Sequence, residues 1–306
     1  MEFRQVLAAK LNELMNKDNK ICILDADLSK PNGTSSLYKT YPDRCFDVGI
    51  AEANMVGVAA GLSAYGMKPN VFTFAPFATR RALDQIMISV CYAHQNVKIW
   101  GTDPGITAET NGGTHMSFED VGVMRSIPTM TIFDVVDDVQ LAQAIEQIEN
   151  YNGPMYIRMP RKTRPSVFDD NYKFELFKAD VVEEGTDITI VASGIMVYEA
   201  QLAVKELKNE GINVELISAN FIKPLDEKTI LNSVKKTKHI LTCENHNVIG
   251  GLYSSVCEML CREYPLKAYC VGVNDEFGQV GKYQELLEAY HLTKDDIIKK
   301  VKQILK

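Results

Sequence analysis

The sequence has 306 residues, with 33 Lys and Arg against 40 Asp and Glu and a formal net charge of −7. That balance excludes nucleic acid as the main partner, since a phosphate-tracking face needs a basic surplus. No run approaches the roughly 20 apolar residues that span a bilayer, and Met1–Leu7 lacks a basic-then-apolar leader, so a cytoplasmic chain without membrane contact is expected. The seven cysteines are an odd number without CxxC spacing, which reads as reduced, mostly buried thiols rather than a zinc site.

In chain order, Arg4–Met15 reads as an amphipathic helix and Lys20–Leu24 as a short apolar strand, followed by the acidic turn Asp25-Ala26-Asp27. Glu52–Tyr65 reads as a helix of mostly small residues ending at Gly66, and Asn70–Phe74 as a strand. A helix over Thr79–His94, strands at Val97–Trp100 and Thr129–Phe133, a helix over Val139–Glu149 and a strand at Pro154–Arg158 follow. Short apolar strands separated by helices predict an α/β fold with a mainly parallel sheet covered on both faces.

Polar, irregular sequence around Arg161–Pro165 and Asp169–Asn171 breaks this alternation. It then restarts with a strand at Ile188–Ala192, a helix over Met196–Glu210, a strand at Asn213–Ile217 and a helix over Glu227–Val234. A strand at Lys238–Thr242, a helix over Leu252–Glu263, a strand at Lys267–Val271 and a final amphipathic helix over Thr293–Leu305 complete it. We therefore read a first α/β domain over residues 1–167, a linker over 168–184 and a smaller α/β domain over 185–306.

The most informative segment is Asp47–Gly66, DVGIAEANMVGVAAGLSAYG. Glu52 opens a helix on which Ala53, Gly57, Ala60, Gly61 and Ala64 recur at helical spacing, leaving one face nearly free of side chains and open to close approach by another backbone. By composition alone Glu52 is a first-turn glutamate favoured by the helix dipole. The order of residues says more. GIAEANMxGxAAGLS resembles the glutamate-bearing helix in the thiamine diphosphate pyrimidine-binding domain of transketolases, 1-deoxyxylulose-5-phosphate synthases and the β subunits of 2-oxo-acid dehydrogenases.

The resemblance covers nearly the whole chain, including Ile222–Asp226 and Glu244–Leu252 in what it makes a transketolase C-terminal domain. It implies that Glu52 is catalytic, hydrogen-bonding N1′ of the cofactor's aminopyrimidine and so activating it. In Val71–Phe77, Phe74 corresponds to the ring that stacks on the aminopyrimidine and Phe77 to a second wall; Asp27 is placed among the cofactor contacts. Asp103–His115 resembles a Gly-rich loop facing the substrate, which implies that His115 contacts hydroxyls beside the substrate carbonyl, with Asn111 nearby. Arg161, after the strand Gly153–Pro160, and Arg4 match arginines that hold the sugar's distal anion, a task suited to a guanidinium fork. Among the other histidines, only His246 in Glu244–Asn247 stands out.

Four departures qualify the resemblance. The Gly-Asp-Gly segment that holds the cofactor diphosphate and its Mg2+ in full-length transketolases is absent, which implies the C-terminal subunit of a split enzyme, with the metal ligands on an N-terminal partner and two copies of each subunit. Gly101-Thr102 stand where a histidine is expected, and Pro31 where a serine is expected. Arg80 replaces a tyrosine and adds a cation at the substrate end, which points to an unusual donor such as a branched pentulose phosphate or a sulfonated hexulose. The competing expectations are a 2-oxo-acid dehydrogenase β subunit, a deoxyxylulose-phosphate synthase and a non-enzymatic scaffold. Gly112-Gly113-Thr114-His115 disfavours the first, Asp103-Pro104 the second, and retention of Glu52, Phe74 and His115 together the third.

Overall fold

A computed structural model describes residues 1–306. The chain forms strands β1 (Ile21–Asp25), β2 (Cys45–Asp47), β3 (Lys68–Phe74), β4 (Lys98–Thr102), β5 (Thr131–Asp134) and β6 (Met155–Met159). The second half adds β7 (Asp180–Glu183), β8 (Ile188–Ala192), β9 (Val214–Ser218), β10 (Phe221–Lys223), β11 (Ile240–Asn247) and β12 (Ala268–Val273). The first sheet has seven strands in the order β10-β5-β6-β4-β3-β1-β2, and the second has five in the order β12-β11-β8-β9-β7. All pairings are parallel except the edge strands β10 and β7, which run antiparallel to β5 and β9.

The interior strands are buried along almost their whole length, and their two faces carry separate apolar clusters. Phe72 and Trp100 belong to one, with the helix Phe3–Lys17, and Val71 and Ile99 to the other, with the helix Glu52–Ala64. This is the two-sided burial that their continuous apolar runs require.

Three features depart from the sequence expectation. The stretch expected as one helix over Thr79–His94 begins only at Leu83 and is π-helical over Ile86–Tyr92. Its start is delayed because Thr79, at φ −112° and ψ −86°, leaves the helical region, and Arg80 and Arg81 are drawn to carboxylates on other elements. The second departure is β10. This strand follows the second domain's β9 yet completes the first sheet, where Phe221 stacks on Phe133 with ring centroids 5.0 Å apart. Residues 180–183, within the expected linker, form β7 on the edge of the second sheet.

Candidate functional site

The carboxyl ends of β1, β3, β4 and β6 converge on one edge of the first sheet, the place where open parallel sheets carry their ligands. Glu52 is the first residue of its helix, with no side-chain cap before it. It is 2% exposed. Arg81 Nη1 reaches both of its oxygens, at 2.8 and 2.9 Å, and Thr73 Oγ1 on β3 lies 3.4 Å from Oε1.

Phe74 ends β3 and Phe77 follows on the helical turn Ala75–Ala78. Their rings meet edge to face at 6.1 Å, and the His115 ring closes the third side, 5.5 Å from Phe74 and 5.1 Å from Phe77. Each phenylalanine also carries a guanidinium on its face: Arg161 over Phe74 at 4.6 Å and Arg81 over Phe77 at 3.8 Å. Cation–π attraction and the edge-to-face preference of the rings both favour this arrangement. His115 Nδ1 lies 2.9 Å from Thr114 Oγ1, which leaves Nε2 free of protein partners.

Arg161 is held by Asp103, the residue after β4. Its Nε donates to Asp103 Oδ2 at 2.6 Å and its backbone N–H to Oδ1 at 2.9 Å, so the two terminal guanidinium nitrogens remain free. Burial pushes the Asp103 carboxyl up, against the pull of the Arg161 charge. Arg4 sits at the same place: its backbone N–H donates to Arg161 O at 3.3 Å and its Nη1 to Pro31 O at 3.4 Å. The Gly33 backbone packs so closely on Arg4 that a Cβ there meets Arg4 O at 2.8 Å, and Gly33 has a φ of +85°, so both space and conformation require glycine.

The remaining sequence candidates are more peripheral. Arg80 pairs with Glu119 at 2.8 Å and donates to Thr114 O at 3.2 Å, on the outer side of the His115 loop. Asn111 and the Asp27 side chain are exposed; the Asp27 backbone N–H donates to Asp47 Oδ1. His246 is buried, its Nε2 accepting from the Gly122 N–H at 3.3 Å, and burial pushes its pKa down to about 4, so it is a neutral interdomain strut. Sequence reading missed Arg81. No local pattern pointed to it, because the chain leaves the helical turn at Thr79 before Arg81 folds back over Phe77. It also missed Asp25, which is buried beneath the site among Asn32, Thr34 and Tyr38, with burial pushing its pKa up to about 6.

Taken together, a buried carboxylate, a three-ring aromatic box and two arginines, Arg161 paired with Asp103 and Arg4 with Glu2, share one edge of the sheet. Three His, Cys, Asp or Glu side chains suited to a metal ion do not converge anywhere in the chain.

Residues 1–166 match the pyrimidine-binding domain family of transketolase, and residues 177–297 match the transketolase C-terminal domain family. The chain is 47% identical over 294 residues to the 6-deoxy-6-sulfo-D-fructose transketolase subunit SqwH of Clostridium sp. (strain MSTE9), covering 96% of this chain and 91% of that protein. It is 33% identical over 304 residues to an apulose-4-phosphate transketolase subunit of Phocaeicola vulgatus, covering 99% of this chain and 97% of that one. Among solved structures, a split gene transketolase described as an inactive beta4 tetramer superposes with a TM-score of 0.90 at 41% identity, covering 100% of this chain and 98% of that one.

Proposed function

The chain belongs to the transketolase family as a C-terminal subunit of the split type, and on that premise we propose how its own residues serve ketol transfer and which substrate they take. The enzyme moves a two-carbon ketol unit from a ketose to an aldose and is active only with an N-terminal subunit. The observation that carries the site assignment is the conjunction of Glu52 with the Phe74–Phe77–His115 box. A flat nitrogen heterocycle needs an aromatic wall and a buried acceptor, and this edge of the sheet offers both, so the residues fit the aminopyrimidine of thiamine diphosphate. When bound, that cofactor supplies the electron sink that lets a carbon–carbon bond beside a carbonyl break.

Glu52, buried at a helix N-terminus, would accept a hydrogen bond at one carboxylate oxygen from the protonated ring nitrogen, a place for which it would first give up Arg81. Phe74 and Phe77 pack the ring and keep water from the carboxylate. His115 turns its free Nε2 toward the substrate hydroxyls. Arg161, aimed by Asp103, and Arg4 bind the distal anion, with Arg80 and Asn111 at the rim and Asp27 at the cofactor end. Mg2+ and the diphosphate fall to the N-terminal subunit.

Two copies of each subunit are supported by the open face of the helix Glu52–Ala64. A Cβ at Gly57 or Gly61 meets nothing within 4 Å, and Tyr65 at its end is 93% exposed. No helix is long and apolar enough to cross a membrane; a cytoplasmic location is supported by seven free cysteines.

The donor is a ketose with a terminal phosphate or sulfonate, the chemistry two arginines at one end of a pocket select. The test combines both subunits, thiamine diphosphate and Mg2+, and compares 6-deoxy-6-sulfofructose, apulose 4-phosphate and xylulose 5-phosphate as donors. We expect one of the first two to be preferred. Equal or better turnover of xylulose 5-phosphate overturns the substrate assignment, and acetyl transfer from pyruvate to a lipoyl group overturns the ketol-transfer reading.

A further inference from the structure

The loop that carries His115 belongs by sequence to the first domain, but its anchors lie in the second. Ile106, Ala108, Met116 and Phe118 are all buried in the apolar core beneath the second sheet, where the Phe118 ring meets Tyr290 at 5.0 Å. The carboxyl end of β11 then grips both ends of the loop. Asn245 Oδ1 accepts from the Ile106 N–H at 3.0 Å, and Asn245 Nδ2 donates to Pro104 O at 3.0 Å. Two residues on, the Asn247 N–H donates to Phe118 O at 2.9 Å. Between the two amide contacts lies Gly105, with a φ of +55°, pressed so tightly on Asn245 that an added Cβ would overlap the amide. At the loop's tip, a Cβ on Gly113 would overlap the carbonyl of Gly278.

An amide carries an acceptor and a donor on separate atoms, so Asn245 closes both backbone bonds at once. Asn245 is itself 2% exposed, so each of its bonds satisfies a backbone group that has no access to water.

We propose that Asn245 is a positioning residue for ketol transfer, clamping the 104–106 backbone from the C-terminal domain so that His115 stands against Phe74 and Phe77. The inference rests on the functional reading above and gives the C-terminal domain a part in it, that of setting where His115 stands.

The test uses the assembled two-subunit enzyme with Asn245→Ala, and with Gly105→Ala as a second variant that disturbs the same clamp from the loop side. Both are expected to raise the KM for the ketose on the order of tenfold while leaving the affinity for thiamine diphosphate within about twofold. In a His115→Ala background, Asn245→Ala is expected to add less than about twofold, because its effect runs through His115. Hydrogen exchange is expected to speed up at Ile106 and its neighbours, with the β4 amides unchanged.

Equal loss of sugar and cofactor affinity would make Asn245 a general structural residue and overturn the proposal, as would an undiminished effect in the His115→Ala background. Absence of ketol transfer by the wild-type complex sinks the functional reading and the link to turnover with it. Unchanged exchange in Asn245→Ala sinks the clamp on its own.

Discussion

Arg81 holds the carboxylate that we propose binds the cofactor, so replacing it should shift two measurements in opposite directions. Arg81→Met keeps the alkyl bulk against Phe77 and removes the charge. It leaves Glu52 buried with only Thr73, at 3.4 Å, and the helix N-terminus to stabilise it. Breaking a fully buried ion pair costs about 3–5 kcal/mol, but Arg81 is 43% exposed, and solvent screening reduces this to about 1–2 kcal/mol.

The cofactor-free enzyme therefore becomes less stable, and its Tm falls by a few degrees. The bound state loses nothing if Glu52 has already exchanged Arg81 for the aminopyrimidine. The same free energy then reappears as affinity: thiamine diphosphate binds about 5- to 30-fold tighter to Arg81→Met than to wild type. Calorimetric titration of the assembled subunits with cofactor at saturating Mg2+, beside thermal unfolding without cofactor, measures both sides. Weaker or unchanged cofactor binding would refute the exchange and make Arg81 a direct cofactor contact.

Other expectations follow from the same geometry. Glu52→Gln keeps the size and loses the proton acceptor, so kcat for ketol transfer falls at least about 100-fold, measured with the preferred ketose. Arg161→Gln removes the charge that we propose holds the distal anion, and kinetics should show KM for the ketose rising about tenfold or more with cofactor affinity unchanged. Arg158 is buried between Asp120 at 2.6 Å and Asp134 at 2.9 Å, so Arg158→Met leaves two carboxylates without their cation. The expected cost is about 3–5 kcal/mol, read as a lower Tm. Stability should also depend on pH through Glu244, whose carboxylate accepts the Leu252 and Tyr253 N–H groups at the start of a helix, with burial pushing its pKa up to about 7 from 4.5. The folded state holds this proton more tightly than the unfolded chain. The contribution is therefore full below about pH 4.5 and is lost as pH rises through about 7. Glu244→Gln should show a shallower fall in Tm over that window.

Much of this was legible in one dimension. Apolar runs at Lys20–Leu24, Asn70–Phe74 and Val97–Trp100 are too short for helices and too continuous for half-exposed strands, so burial in a parallel sheet was their one outlet. Glu52, Phe74, Phe77 and His115 were singled out from local motifs, and the structure brings them to one edge. The strand β10 was not legible, because a three-residue strand has too little pattern to announce itself and its partner lies some 90 residues earlier, around Phe133.

What the sequence determined by itself is what short-range chemistry encodes: the alternation of elements, the small-residue face after Glu52, and the family of motifs around it. Partnerships were left to the tertiary structure. Whether Arg80 or Arg81 would reach Glu52 depended on how the chain leaves β3, and adjacent residues ended on different carboxylates, Glu119 and Glu52. That Asn245 would close on Pro104 and Ile106 depended on two domains meeting across about 140 residues of chain. A side chain's type limits which bonds it can make, but only the packing of distant segments decides which partner comes within 3 Å, and in this molecule those late contacts pair Glu52 with Arg81 and tie the start of the His115 loop to the second domain.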